Sequence, residues 1–542
     1  MSDNPTVPFA RSRYLDGILL LLFAAALAIQ LFVPPIVGLA DNGDFSRVAG
    51  PLGIFPPEEL GDRAFFSWIV PQYRFDPHRI WLHGLCCYSS QTALAVAALP
   101  VGLAASPSGR FDLRASGLAN GLALLAALGL LLFELRPLPT PLRILGGLLL
   151  VVAFSDVTYV SLLNSFYTEP AALIFLLAAL ALALRLARTP NPRAGLPTGF
   201  FLVSALLATS RPQNALLGLF LAMLGWRVVR YEGSVARHRR RLVALAALGL
   251  CAISLAYSRS TPALLGRTYL FDAVFRQLLP NSPDPRGDLA TLGLPLDYAR
   301  FVGLSGFSSE APVQDENFQR TFAKVRYRTL AAFYATRPAR IRKALARGAS
   351  EAFEMRPFGL GNFAQATGKA ARTTSESFSG WSRAKARLAP ARLGFVVAWG
   401  IVSLAAAIHL RWKGSTHALR ATGEIWIALV PVAGFQFAVA SVMTGAESRR
   451  SFFLFNALFD LSLIALVLRG AAFTGTVFAG FTGMQKSGTN WRSKERRRNR
   501  RLFGALAMFA ATLLAAPLFA EDPGAPCPLF PEATARFEDF GG

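Results

Sequence analysis

Apolar runs close to 20 residues long recur along this chain, and a run of that length is what crosses the hydrocarbon core of a bilayer. They occupy Gly17–Leu39, 115–134, 142–160, 171–186, 242–257, 392–410, 424–443, 452–468 and 503–519, with two shorter stretches at 198–209 and 213–228. Hydrocarbon offers no hydrogen bonds, so each crossing segment must satisfy its backbone internally. The predicted class is therefore all-α, a polytopic helical membrane protein with about ten or eleven transmembrane helices. The composition agrees, since 53% of the 542 residues are hydrophobic.

The net charge of +24 comes from 56 basic and 32 acidic residues. In a soluble chain such an excess suggests nucleic acid. Here the basic residues cluster in short segments beside apolar runs, which is topology information instead. No nucleic-acid partner is expected. Arg11 and Arg13 precede the first run and place the N-terminus in the cytoplasm. A cleaved signal peptide is the rival, with Gly38 and Ala40 as small residues. The length of the run and its Pro34-Pro35 favour a retained helix.

Four parts follow. Residues 1–258 form an N-terminal membrane module with a first outer loop at 41–87, and 259–391 form an outer, mostly helical segment. Residues 392–520 hold the last spans and a basic cytoplasmic loop at 485–501, and 521–542 form an acidic outer tail. Segment 90–105 is Ala-rich and carries Pro100, and it reads as a half-buried or surface helix. If it does not cross, Glu169 and Asp44 share one face. Trp68, Tyr73, Trp81 and Tyr88 suit interfacial depth. In the outer segment Phe318, Phe322, Val325, Leu330 and Phe333 recur at helical spacing among arginines and lysines. That pattern reads as an interfacial amphipathic helix drawn to anionic lipid headgroups.

Cys86, Cys87, Cys251 and Cys527 have no partners at zinc-ligand spacing, and His78 and His83 lack a third ligand.

The polar chemistry sits at the ends of apolar runs. Asp41-Asn42-Gly43-Asp44-Phe45-Ser46-Arg47 follows the first run, and Asn164-Ser165-Phe166-Tyr167-Thr168-Glu169-Pro170 precedes the fourth. Ser210-Arg211-Pro212-Gln213-Asn214 interrupts 198–228, as the bend of a kinked helix or of an outer hairpin. Thr444-Gly445-Ala446-Glu447-Ser448-Arg449-Arg450 lies between two late runs. Asn-Gly flanked by Asp is also ordinary solvated-turn chemistry. Acids at a membrane surface are costly, however, which favours a functional role for Asp41, Asp44 and Glu169. Arginine forks match phosphate oxygens, so Arg211, Arg449 and Arg450 suit a lipid phosphate. A carboxylate beside them suits a general base on an acceptor hydroxyl.

In pattern and order these motifs resemble the GT-C superfamily of membrane glycosyltransferases, which includes protein O-mannosyltransferases and the lipid A aminoarabinose transferase. The likeness covers residues 15–258 best. It has two departures: the first motif is not a plain Asp-Glu pair, and Arg449-Arg450 stands where many relatives have Arg-Tyr. The resemblance implies an inverting transferase of the bacterial inner membrane that takes a sugar from a polyprenyl-phosphate donor on the periplasmic face. The acceptor is a lipid, a glycan or a protein. It implies Asp44 as general base with Asp41 as the substitute, and Glu169 in positioning or in holding a divalent metal ion. Arg211, Arg449 and Arg450 then bind donor phosphate, and Arg47, Tyr167 and Glu447 complete the substrate-binding set. The rivals are a flippase or other transporter of lipid-linked saccharides, a polysaccharide polymerase or ligase, and a non-catalytic assembly protein.

Overall fold

The computed structural model describes residues 9–58, 64–80, 89–106, 109–189, 192–230, 237–356, 359–388, 392–443 and 448–481. Glu447, Trp81, Tyr88, His83, Cys86, Cys87, the basic loop 485–501, the span at 503–519 and the tail lie outside the described residues, as does Cys527.

The first half of the chain comprises α1 (Phe9–Phe32), α2 (Ser46–Ala49), β1 (Leu52–Phe55), β2 (Gln72–Ile80), α3 (Ser90–Ala104), β3 (Arg110–Asp112), α4 (Arg114–Glu134), α5 (Thr140–Phe154), α6 (Val157–Val160), α7 (Glu169–Arg188), α8 (Gly195–Ala208), α9 (Leu217–Arg230) and α10 (Arg237–Arg259). The second comprises α11 (Ala263–Phe271), α12 (Pro285–Thr291), α13 (Glu316–Phe322), α14 (Tyr327–Ala335), α15 (Pro338–Glu351), α16 (Gly380–Ala386), α17 (Arg392–Lys413), α18 (His417–Met443), α19 (Ser448–Ser451) and α20 (Phe453–Phe481). Among the described residues seven helices, α1, α4, α7, α10, α17, α18 and α20, are long and apolar enough to cross a membrane. The chain is a polytopic helical membrane protein.

Ion pairs fix how these helices are ordered end to end. At one end three buried carboxylates each sit between two arginines. Asp16 of α1 meets Arg136 at 2.6 Å and also Arg143. Glu134 of α4 meets Arg188 at 3.1 Å and Arg185 at 3.7 Å. Glu424 of α18 meets Arg411 at 2.8 Å and also Arg227. Carboxylates that lose water need such partners, and two guanidiniums per acid supply them. The shorter helices α5, α8 and α9 run between the same two ends as the long ones: Arg143 opens α5 at the Asp16 end, the turn after α8 reaches the opposite end, and Arg227 closes α9 at Glu424. Residues 198–228 thus form a hairpin, not one kinked helix, with its bend at Pro212–Asn214.

Segment 90–105 does not cross. Strands β2 and β3 pair antiparallel, Tyr73 opposite Phe111, although α3 lies between them in sequence. A helix whose flanks join one small sheet begins and ends on the same face. Ser89 caps α3 by accepting from the Gln91 N–H and donates its own hydroxyl to the Ser210 carbonyl. The strands themselves, in the order β1-β2-β3, occupy the first outer loop of the sequence reading and the short stretch between segment 90–105 and the span at 115–134.

The outer segment differs from its sequence reading. The apolar stripe Phe318, Phe322, Val325, Leu330 and Phe333 does not face lipid. It closes a separate core with Phe271, Phe275, Leu289 and Phe301. The stripe is also split over α13 and α14, and Pro338 starts a new helix in α15. Tyr73 is likewise not interfacial: it is 2% exposed and packs edge-on to Phe166 at 5.3 Å.

From this core the chain returns as a strap over the α1–α2 connection. The Gly38 and Ala40 N–H groups donate to Asn362 and Gly361, and the Gly361 N–H donates to Phe66. Gly361 has no room for a side chain, since a Cβ there would lie 2.0 Å from the Ser67 carbonyl oxygen. The strap ends in α16, where Lys385 reaches Asp460 of α20 at 2.8 Å, both side chains being almost fully buried. Tyr159 donates its hydroxyl to the other oxygen of Asp460 at 2.7 Å. Lys385→Met removes the cation from the buried Asp460 carboxyl and is expected to cost about 3–5 kcal/mol. Adding Asp460→Asn should recover part of that loss. Thermal unfolding of detergent-purified protein checks both, and a single variant melting like wild type refutes the strap's anchor.

Candidate active site

At the end opposite Asp16, the motifs read from sequence meet around one side chain. Arg450 of α19 donates from Nη2 to Asp44 Oδ2 at 2.7 Å and from Nε to Glu169 Oε1 at 2.8 Å. Arg211 donates to the same Glu169 oxygen at 2.8 Å. Arg47 pairs with Asp44 Oδ1 at 2.8 Å. The Arg450 guanidinium lies over the Tyr167 ring, 4.2 Å from its centroid. Glu169 is fully buried, and its Oε2 has no hydrogen-bond partner.

Local sequence explains how each group is held. Glu169-Pro170 opens α7, where the proline's missing N–H is harmless and the acid meets the positive end of the helix dipole. Phe166 sits among Phe45, Tyr73 and Phe111, at centroid distances of 5.6, 5.3 and 5.7 Å. This aromatic base anchors the Tyr167 backbone. The Tyr167 hydroxyl donates to the Ala40 carbonyl at 2.7 Å and accepts from the Asn42 N–H at 3.1 Å. In the first motif Asp41 Oδ1 accepts from the Gly43 and Phe45 N–H groups, and Asn42 Oδ1 accepts from the Asp44 N–H. Gly43 has φ +100°, open only to glycine at low cost. The motif is an Asx turn, as the solvated-turn reading holds, but it is walled in by Tyr167 and the strap.

The two acids of that turn differ. Burial pushes Asp41 up to about 7, against the pull of the Phe45 and Gly43 N–H groups. Burial also pushes on Asp44, but the Arg47 and Arg450 charges outweigh it and hold the carboxyl at about 2. Among the described residues the centre thus sets the guanidiniums of Arg47, Arg211 and Arg450 against the carboxylates of Asp44 and Glu169, an excess of one positive charge. That excess suits an anion. It does not suit a divalent cation, because Arg450 already bridges the two acids a metal would need. No group of three potential metal-ligating side chains occurs among the described residues.

Of the residues singled out from sequence, Asp41, Asp44, Arg47, Tyr167, Glu169, Arg211 and Arg450 come together. Arg449 does not join them. It pairs with Glu354, three residues beyond the end of α15. The sequence reading missed Asn42 and the buried Lys385–Asp460 pair. Asp460 carries a signal, as a lone acid within the apolar run 452–468. Asn42 has none beyond its place in the turn.

The chain matches the YfdI N-terminal transmembrane domain over residues 10–486. It belongs to the YfdI N-terminal transmembrane domain family. Within this YfdI-family chain the matched region contains every site residue above. No curated protein sequence matches it. Among solved structures it is similar to the archaeal oligosaccharyltransferase AglB from Archaeoglobus fulgidus in complex with an inhibitory peptide and a dolichol-phosphate. The TM-score is 0.37 and the identity 13%, over 95% of this chain and 57% of that one. The Archaeoglobus fulgidus oligosaccharyltransferase in the apo form gives a TM-score of 0.35 and 12% identity, over 94% of this chain and 57% of that one. The YfdI-family chain therefore spans little more than half the length of those structures.

The acid pair generates a stability prediction. Asp41 has a folded value of about 7 against an ordinary 3.8, so the folded protein holds the extra proton between them. Stability from this group is complete below pH 3.8 and is lost as pH rises towards 7. Asp44 acts in the opposite sense, but only as pH falls from 3.8 towards 2. Raising the pH from about 5 to about 8 should lower the wild-type melting temperature more than that of Asp41→Asn. Parallel slopes in the two proteins refute the proton-holding Asp41.

Proposed function

We propose that this chain is a membrane glycosyltransferase of the GT-C type that transfers a sugar from a polyprenyl-phosphate donor to an acceptor hydroxyl. The observation that carries the proposal is the Arg450 bridge between Asp44 and Glu169, flanked by Arg47 and Arg211 at one end of an apolar bundle. A lipid donor reaches such a site with its tail in the bilayer and its phosphate at headgroup depth. The phosphate competes with Asp44 and Glu169 for the three guanidiniums, whose forks fit phosphate oxygens.

That competition supplies the base. With Arg47 and Arg450 holding it at about 2, Asp44 cannot take a proton from a hydroxyl. As the guanidiniums turn to the phosphate, Asp44 loses its two partners and becomes more basic. It then takes the acceptor's hydroxyl proton while that oxygen attacks the anomeric carbon. The bond from that carbon to the phosphate oxygen breaks, and the sugar's configuration inverts in this single displacement. The leaving polyprenyl phosphate carries the electron pair away as added negative charge, which Arg211 and Arg450 neutralise. Glu169 Oε2, buried without a partner, accepts a hydroxyl of the transferred sugar. Asp41, at about 7, is the alternative base.

The arginine-rich Asp16 end fits the cytoplasmic side, which puts the Asp44 end on the periplasmic side of a bacterial inner membrane. Segment charge further suits anionic lipid headgroups around the outer part of the chain.

Membranes holding wild type, Asp44→Asn or Asp41→Asn at equal level are supplied with labelled polyprenyl-phosphate sugars. Label is then followed into lipid, glycan and protein fractions. Asp44→Asn should lower one labelled product by about 100-fold or more. Loss confined to Asp41→Asn moves the base to Asp41. If deleting the protein changes no fraction, the transferase reading fails, and transport of lipid-linked saccharides is measured next.

A further inference from the structure

The acids of the candidate site are arranged as metal-binding carboxylates often are: two, from separate segments, converging on one buried point. A cation stands at that point, and it is a guanidinium. Arg450 is 5% exposed and contacts one carboxylate through Nη2 and the other through Nε. It is clamped from a third side by the Tyr167 ring at 4.2 Å. Arg211, on the same Glu169 oxygen, adds a second positive charge that would repel a dication.

We propose that the Arg450 guanidinium takes the place of a divalent cation between Asp44 and Glu169. The wild-type site is therefore closed to metal, and removing Arg450 opens it. Without that side chain, Asp44 Oδ2 and Glu169 Oε1 lose the cation they share, and hard carboxylate oxygens suit Mg²⁺ or Mn²⁺. Charge balance points the same way. On the transferase reading, a donor phosphodiester brings one negative charge. The loaded centre then holds three negative groups against the Arg47, Arg211 and Arg450 guanidiniums, and it closes without a metal. A dication would leave two charges uncompensated.

The test does not depend on transfer. Purified, chelator-treated full-length protein is titrated with Mn²⁺, and free Mn²⁺ is followed by its electron paramagnetic resonance signal. Wild type and Glu169→Gln should show the same binding, with no equivalent assignable to the site. Arg450→Ala or Arg450→Met should gain one equivalent that Glu169→Gln in the same background removes. Wild type holding one equivalent that Glu169→Gln abolishes overturns the proposal, and this arm uses the intact protein whatever the variants do. Folded Arg450 variants that gain nothing overturn it as well. A failed transfer assay with the expected Mn²⁺ pattern would fault the transferase reading and leave the filled cation site standing.

Discussion

One buried guanidinium ties together segments far apart in the chain. Arg450 joins the connection after α1, the start of α7 and the short α19 through two charge-assisted hydrogen bonds. Neither carboxylate tolerates burial alone, and the arginine does not either. Each group therefore justifies the placement of the others. Arg211 adds the α8–α9 hairpin to the same centre, and Arg47 ties back within the first motif. The bundle is in this sense closed at one end by a charge network, and the helices deliver its members.

The two ends of the bundle use the same chemistry differently. At the Asp16 end each carboxylate lies between two arginines and the charges are locked in separate triads. Those triads order the helices. At the Asp44 end the triads are fused: Asp44 and Glu169 share Arg450, and one Glu169 oxygen stays unpartnered. A fused, unevenly satisfied network can exchange partners when an anion arrives, whereas closed triads only hold. The surrounding frame is held by packing and by ion pairs. An aromatic base lies under Tyr167, and the strap along residues 38–42 is anchored by the buried Lys385–Asp460 pair.

Much of this was legible in the sequence for a physical reason. A bilayer demands long apolar helices, so the spans announce themselves by length. Charged groups are then forced to helix ends, where a reader finds Asp41, Asp44, Glu169, Arg211 and Arg450 in order. The non-crossing of segment 90–105 was readable from its alanines and its proline. The strands β1 to β3 were not, because β2 is a polar nine-residue run whose pairing depends on partners 19–28 residues before and 36–40 after it. The amphipathic stripe of the outer segment was read with the right spacing and the wrong neighbour. Periodicity says that a face is buried and leaves open what buries it.

The sequence by itself determined the solvent, the helical class and which end of each span carries charge, since those follow from hydrocarbon's intolerance of unpaired polar groups. Only the tertiary structure decided which acid met which arginine. It put Arg450 on Asp44 and Glu169, sent its neighbour Arg449 to Glu354, and set Asp41 and Asp44 at about 7 and about 2 within one turn. Electrostatic pairing depends on distances of a few ångströms between residues hundreds of positions apart, and no local pattern encodes those distances.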